Sequence, residues 1–242
     1  MEPCYKAKSD VIKMGEIDRI KNASNENSNL AKEEMETAKA LDALAKSEIN
    51  QAKARDKLTE REVEIAKVRE ELAAKTRKLV EKKIQLKSDG ILDFPEEELE
   101  KEQADAVHSE RIAETQREIA QINEKIAEKE VEIAKEKENL SKEIIDVARE
   151  REKLAKKQAD YIKAVENQQE SQRAGIAEKI QAAQEKEKQA QQDYLKQETK
   201  VADEQKDVSK KKQKIRDKEN ELADIRQQLS NKISELEKIR NA

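Results

Sequence analysis

The sequence has almost none of the large side chains that fill compact cores. It contains no tryptophan, one phenylalanine and three tyrosines, so that aromatic residues make up 2% of its 242 residues. A globular domain of this length normally packs its centre with such side chains. The composition therefore argues against a globular enzyme.

Cysteine, histidine and glycine are scarce as well. Cys4 is the single cysteine, which excludes an internal disulfide, and His108 is the single histidine, which excludes metal sites built on several histidines. We expect Cys4 to be a bystander thiol and His108 to be solvated. Three glycines cannot form a phosphate-binding loop, and no nucleotide or zinc motif occurs. The sequence predicts no catalytic residue, no cofactor and no metal.

Long hydrophobic runs are missing too. No run of 18 apolar residues occurs, and the first ten residues, MEPCYKAKSD, lack the apolar centre of a signal peptide. We therefore expect a cytoplasmic protein, or one within a particle assembled in the cytoplasm, and we do not expect membrane insertion. The basic run SKKKQKIR at 209–216 has no aromatic residues beside it, so nucleic-acid binding is not expected either.

Charge is what the chain has in abundance. Charged residues make up 44% of it, mean hydropathy is -1.11, and 51 basic residues nearly balance 55 acidic ones, which leaves a net charge of -4. Disordered chains of similar polarity carry a larger net charge or more proline. Because most of the remaining residues are strong helix formers, the composition predicts long helices with charged faces and a narrow apolar stripe.

Apolar residues recur every seven positions, which is the spacing of a coiled coil. A first ladder begins at Leu30, a second at Ile112 and a third at Ile180, and alanine follows the ladder residue by one position in most repeats of the first two. The first ladder contains Leu30, Thr37, Leu44, Gln51, Leu58, Ile65, Leu72, Leu79 and Leu86. We expect each ladder to face a partner helix.

A stop signal and a start signal separate the first two ladders. Gly90 falls where a helix ending near Leu86 needs a left-handed residue, and Ile91 falls where the Schellman motif places an apolar side chain. Asp93 can then cap a new helix, with Pro95 in its first turn. The short connection predicts an antiparallel hairpin, since Leu72 would then lie opposite Ile112, and Ile65 opposite Ile119.

A second reversal near 168–175 is the open alternative. It would give a three-helix rod and place Tyr161 opposite Ile180, but Gly175 is the only breaker in this interval, so we favour a helix that continues past it. The predicted fold is thus all-α, an elongated antiparallel coiled-coil hairpin with its turn near 88–95. Its segments are a flexible or docking arm at 1–29, a first helix at 30–88, a turn at 89–95 and a second helix at 96–241, with a possible break at 167–175 and a third segment at 176–241.

Two surfaces are candidates for protein partners. The first is the hairpin tip, with Ile91, Leu92 and Phe94. The second is the seam of the last segment, which the hairpin would leave unpaired and which contains Val201, Val208, Ile215, Leu222, Leu229 and Leu236. We predict a non-catalytic structural protein, a spacer, ruler or filament subunit of a cytoskeletal, scaffold or virion type, which pairs with protein partners or with itself. The alternative is a soluble adaptor whose tip and C-terminal seam recruit two different partners.

Overall fold

The protein consists of helices throughout the part that the structure describes. This computed structural model describes residues 3–175 and 177–241, with side chains for residues 19, 21–175 and 177–241. Within these residues there is no strand, and the three helices are α1 (Pro3–Ser88), α2 (Glu96–Ala174) and α3 (Ala177–Arg240). The all-α fold predicted from the sequence is confirmed.

The first helix ends as its sequence predicts. The backbone N–H of Ile91 donates to the carbonyl of Leu86 at 2.9 Å, and that of Gly90 donates to the carbonyl of Lys87 at 2.9 Å. These are the two hydrogen bonds of a Schellman motif, and Gly90 has the positive φ of 70° that the motif requires. A residue without a Cβ adopts this conformation with little strain.

The second helix is capped by a different residue from the one expected. Its first α-helical hydrogen bond runs from the N–H of Leu99 to the carbonyl of Pro95, at 3.3 Å. Pro95 rather than Asp93 therefore occupies the N-cap position, and α2 starts at Glu96. Three glutamates, Glu96 to Glu98, fill the first turn, where the positive end of the helix favours negative charge.

The expectation that the second helix continues past Gly175 is wrong. The helix α2 ends at Ala174 and α3 begins at Ala177. Gly175 has a φ of +70°, and its N–H lies 3.2 Å from the carbonyls of both Ser171 and Gln172. A single left-handed glycine thus ends the helix without a proline, and Ile176, the first residue of the expected third segment, lies outside the described residues.

The boundary expected at residue 30 is wrong as well. The helix α1 begins at Pro3 and includes the polar stretch NASNENSN, which lies within the expected arm at 1–29. Residues 1–2 of that arm lie outside the described part of the chain. Tertiary contacts outweigh the low helix propensity of this stretch, since the buried hydroxyl of Ser24 donates to the carbonyl of Ala155 at 3.0 Å and Lys21 pairs with Glu166 at 2.5 Å.

The contacts divide the chain into two units, each with segments from all three helices. One unit comprises Ala45–Glu136 and Ile215–Ala242. In it, α1 runs antiparallel to α2 in the predicted register to within one residue, since Val63 and Ala66 cluster with Ala120. Glu130 on α2 joins all three helices of this unit, because it accepts hydrogen bonds from Arg55 of α1 at 3.1 Å and from Arg226 of α3 at 2.9 Å.

The other unit comprises Met1–Leu44 and Lys137–Lys214. Here α2 again lies antiparallel to both neighbours. Ser141, which is 1% exposed, lies 3.1 Å from the Asp42 carboxylate of α1, and Tyr161 stacks on Tyr194 of α3. This stacking corrects the register of the possible reversal, which placed Tyr161 opposite Ile180. Because α2 ends at Ala174, at the end of the interval 168–175, the residue of α3 that faces Tyr161 lies farther along the chain.

Candidate interaction surfaces

The leucine ladder of α1 lies on the surface of the chain. We expected this ladder to face α2, yet its side chains are largely exposed, for example 58% at Leu58, 53% at Ile65 and 64% at Leu72. The expectation for this face of α1 is wrong. Other exposed apolar residues of α1 are Leu30, Leu41, Leu44, Val68, Leu79 and Leu86.

Alanine, rather than leucine, forms the buried face of α1. Five of the alanines one position after ladder residues are buried, namely Ala31 and Ala38, which are 0% exposed, and Ala45, Ala52 and Ala66, whereas Ala73 is half-buried. One residue corresponds to about 100° around a helix, so the alanine and leucine stripes cannot both point at α2. Alanine also lies on the buried face of α2, where the buried alanines include Ala106, Ala113, Ala120, Ala127, Ala134, Ala148 and Ala155.

The seam of α3, by contrast, is used inside the chain. Val201, Ile215 and Leu222 are each 8% exposed or less, Leu236 is buried as well, and Val208 and Leu229 are half-buried. The prediction that this seam is open to a partner is wrong, because the reversal at Gly175 folds α3 back on α2. The ladder that is left open belongs to α1.

The hairpin tip is only partly open. Ile91 is 68% exposed, whereas Leu92 and Phe94 are half-buried. The ring of Phe94 lies under the ammonium group of Lys83, which is 5.6 Å from the ring centroid and which also pairs with Glu102 at 2.8 Å. Phe94 therefore has a role within the hairpin, and Ile91 is the tip residue that is most available to a partner.

An apolar groove runs between the helices of the unit Met1–Leu44 with Lys137–Lys214. It has a volume of about 630 Å³, and its walls include Leu30 and Leu41 of α1, Ile144 and Val147 of α2, and Val208 of α3. Charged side chains line its edges, among them Arg151, which pairs with Glu34 across it. The half-buried Val208 thus borders a space that α1 and α3 do not fill.

Polar contacts fix the pairing of α2 with α3 in the same unit. The amide of Gln197, which is buried, donates to the Glu150 carboxylate at 2.6 Å and approaches the Glu150 carbonyl at 3.1 Å. Hydrogen bonds from Lys153 and then from Gln197 hold the pKa of the Glu150 carboxyl below its ordinary value. Lys157 pairs with Asp193 at 3.1 Å on the same pair of helices.

The unit Ala45–Glu136 with Ile215–Ala242 uses ion pairs in the same way. Lys218 donates to Glu132 at 2.8 Å and Lys232 donates to Glu118 at 2.7 Å, in each case from α3 to α2. The bond from Lys218 is the main cause of the lowered pKa of Glu132. The side chains of these ion pairs are partly exposed to solvent. Such ion pairs stabilise a fold only weakly, so they set the register of the helices more than they strengthen the packing.

Residues capable of chemistry are not brought together in the described part of the chain. The half-buried His108 lies on α2, and among the described side chains no group of three or more His, Cys, Asp or Glu residues is placed to hold a metal ion. The side chain of Cys4 lies outside the described side chains.

None of the helices, as far as they are described, has the length and apolar character needed to span a membrane.

The basic run at 209–216 is partly neutralised within the chain. Lys210 pairs with Asp207 at 2.8 Å, Lys211 pairs with Glu143 of α2, and Ile215 is buried. The remaining positive charge therefore does not form one continuous patch.

Comparison with known proteins gives no further lead, since no protein-family model and no curated protein matches this sequence.

Proposed function

We propose that this protein is a non-catalytic structural subunit that binds other proteins by pairing its helix α1 with theirs. The observation that carries this proposal is the exposed ladder of leucine and isoleucine at seven-residue spacing on α1. Such spacing is typical of a helix face that packs against another helix. An isolated leucine in water needs no explanation, but a contiguous apolar stripe marks a binding surface.

The role that fits best is a spacer, ruler or filament-type component of a larger assembly, located in the cytoplasm or in a particle assembled there. Long helices with charged outer faces suit a part that sets distances and does not transform a substrate. Since α3 already covers one side of α2, a partner would be held by α1, and coiled-coil pairing would extend the helix packing that begins inside the chain.

A photo-crosslinking experiment on the full chain tests this proposal. A photoreactive amino acid at Leu72, on the ladder, should give discrete covalent adducts in the native cell. The same amino acid at Lys67, which is also exposed on α1 but on a different side, should give far fewer adducts. Equal crosslinking at the two positions, or none at either, would contradict a binding role for the ladder.

An adaptor that recruits two partners is the second candidate, and the exposure of Ile91 favours it. In an adaptor, Ile91→Ser should release the partner that binds the tip. The partner that binds the ladder should still form adducts with the photoreactive amino acid at Leu72. In a structural subunit that is held by α1 alone, Ile91→Ser should change neither the adducts nor the sedimentation of the assembly. The two roles are thus separated by one variant at the tip.

A further inference from the structure

The ladder of α1 is accompanied by a second, basic column in the unit Ala45–Glu136 with Ile215–Ala242. Each of Arg61, Lys75 and Lys82 follows a ladder residue by three positions and therefore lies beside it on the same face. Val68 occupies the remaining position of this column and is 64% exposed. The ladder residues concerned are Leu58, Ile65, Leu72 and Leu79.

The three cations of this column are available to a partner. All three are exposed, and among the described residues none of them forms an ion pair. Two other basic residues of the same stretch are engaged within the chain, since Arg77 pairs with Glu110 at 2.7 Å and Lys83 with Glu102 at 2.8 Å. The face thus combines an open apolar ladder with one open column of positive charge.

We propose that this face binds an amphipathic helix of another protein, one that carries apolar residues at seven-residue spacing and Asp or Glu beside them. This inference rests on the proposed function and adds the chemistry of the partner. Its apolar ladder would cover the side chains from Leu58 to Leu79, and its carboxylates would meet Arg61, Lys75 and Lys82. Complementary charge beside an apolar ladder selects the partner and its orientation in helix pairs.

The geometry favours a helix over an anionic membrane surface. A helix that lies on a membrane needs a broad apolar face, about 100° or more in width, whereas this ladder is a single column with charged residues on both sides. A strict seven-residue repeat drifts by about 20° per heptad around a straight helix, which a supercoiling partner follows and a flat surface does not.

Charge also argues against an antiparallel pairing with a second copy of the same stretch. In an antiparallel pair with Leu58 opposite Leu79, the basic columns of the two copies would face each other and bring Arg61 of one copy near Lys75 of the other. Like charges placed in this way repel, and juxtaposed like charges suppress a wrong partner. An acidic partner helix removes this repulsion.

Binding of designed peptides to the full chain tests the proposal. Two labelled four-heptad helical peptides carry the same leucine ladder, one flanked by Glu and the other flanked by Lys. In fluorescence anisotropy the Glu-flanked peptide should bind at least about tenfold more tightly than the Lys-flanked one. Added salt should reduce this preference, because the charges lie at a solvated rim.

Charge reversal supplies the sharper test. The double substitution Lys75→Glu with Lys82→Glu should invert the preference, so that the Lys-flanked peptide binds more tightly. The matched control, Lys53→Glu with Lys67→Glu, changes the net charge equally but lies two positions after ladder residues, about 200° around the helix from them. The control should keep the original preference.

Three results would overturn the inference. They are equal affinity for both peptides, binding to vesicles of phosphatidylserine and phosphatidylcholine that exceeds binding to the Glu-flanked peptide, and dimerisation of the chain that Ile65→Ser with Leu72→Ser abolishes. Crosslinking at Leu72 in cells combined with any of these results would leave the proposed function standing and refute only the acidic partner. The control Leu195→Ser with Ile233→Ser, which removes exposed apolar residues from α3, should leave peptide binding unchanged.

Discussion

The ring of Tyr161 on α2 stacks on the ring of Tyr194 on α3, with the centroids 6.4 Å apart and the ring planes at 17°. These are two of the three tyrosines in a chain that has one phenylalanine and no tryptophan. The contact therefore supplies most of the aromatic packing available to the unit Met1–Leu44 with Lys137–Lys214.

Removing one ring should loosen this unit. We expect Tyr161→Ala to lower the free energy of unfolding by about 1–3 kcal/mol, since it removes a half-buried ring and its stacking contact with Tyr194. Tyr161→Phe keeps the ring and should change the free energy by less than about 0.5 kcal/mol. Urea unfolding followed by circular dichroism measures both, and equal effects of the two substitutions would show that the ring contact is absent in solution.

The same pair should make the protein sensitive to alkali. Burial, and after it the nearby Glu187, raises the pKa of the Tyr161 hydroxyl, and burial raises that of Tyr194. A raised pKa in the folded state means that the neutral form is favoured there. The stability is therefore complete below the unfolded pKa of about 10 and is lost as the pH rises from there through the folded pKa.

Stability measured from neutral to alkaline pH tests this expectation. The protein should lose more stability above pH of about 10 than the double variant Tyr161→Phe with Tyr194→Phe, in which no hydroxyl is left to ionise at this contact. The difference between the two curves matters, because lysines titrate in both proteins. Identical curves would mean that these hydroxyls are as well hydrated in the folded chain as in the unfolded one.

The buried amide of Gln197 should contribute to the pairing of α2 with α3. We expect Gln197→Ala to lower the free energy of unfolding by about 1–2 kcal/mol, because the substitution removes the bond to the Glu150 carboxylate. Gln192→Ala, an exposed glutamine on the same helix, should have an effect within about 0.5 kcal/mol of zero. A double-mutant cycle with Glu150→Gln that shows no coupling would contradict this contact.

The two glycine turns should each resist substitution by a residue with a Cβ. Gly90 and Gly175 both have a φ of +70°, and a Cβ at either would meet nothing within 4 Å, so the penalty comes from the backbone alone. We expect Gly90→Ala and Gly175→Ala each to destabilise the fold by about 1–2 kcal/mol, and Gly90→Asn by less. Ser88→Ala serves as a control near the first turn and should be close to neutral. Thermal unfolding would show a similar small shift for all of these substitutions if the turns were not left-handed.

Much of the first turn could be predicted from the sequence, because local chemistry determines it. The spacing from Leu86 to Gly90 and Ile91 specifies a Schellman motif, and both of its hydrogen bonds are present. The register of α1 against α2 followed from the position of this turn. The second turn was an alternative that we did not favour, because its only signal is Gly175, and one glycine within a helical pattern does not require a break.

The sequence predicts that one apolar stripe stays exposed, but it assigns the exposed stripe to α3, whereas the exposed stripe is on α1. A seven-residue repeat reveals that a helix has an apolar stripe, but on α1 the leucine stripe adjoins an alanine stripe about 100° away. Periodicity alone does not decide which of the two faces α2. Close packing of Ala66 near Ala120 decided it, and with α3 folded back on α2 the open ladder became that of α1.

A partner can bind through α1 only if the ladder of α1 is exposed to solvent while that of α3 is buried, and thiol reactivity measures this difference directly. In a Cys4→Ser background, single cysteines replace Leu72, which is 64% exposed, or Leu222, which is 8% exposed. The cysteine at 72 should react with a maleimide reagent at least about tenfold faster than the cysteine at 222, because the latter must wait for local opening. Equal rates, or faster reaction at 222, would contradict the account.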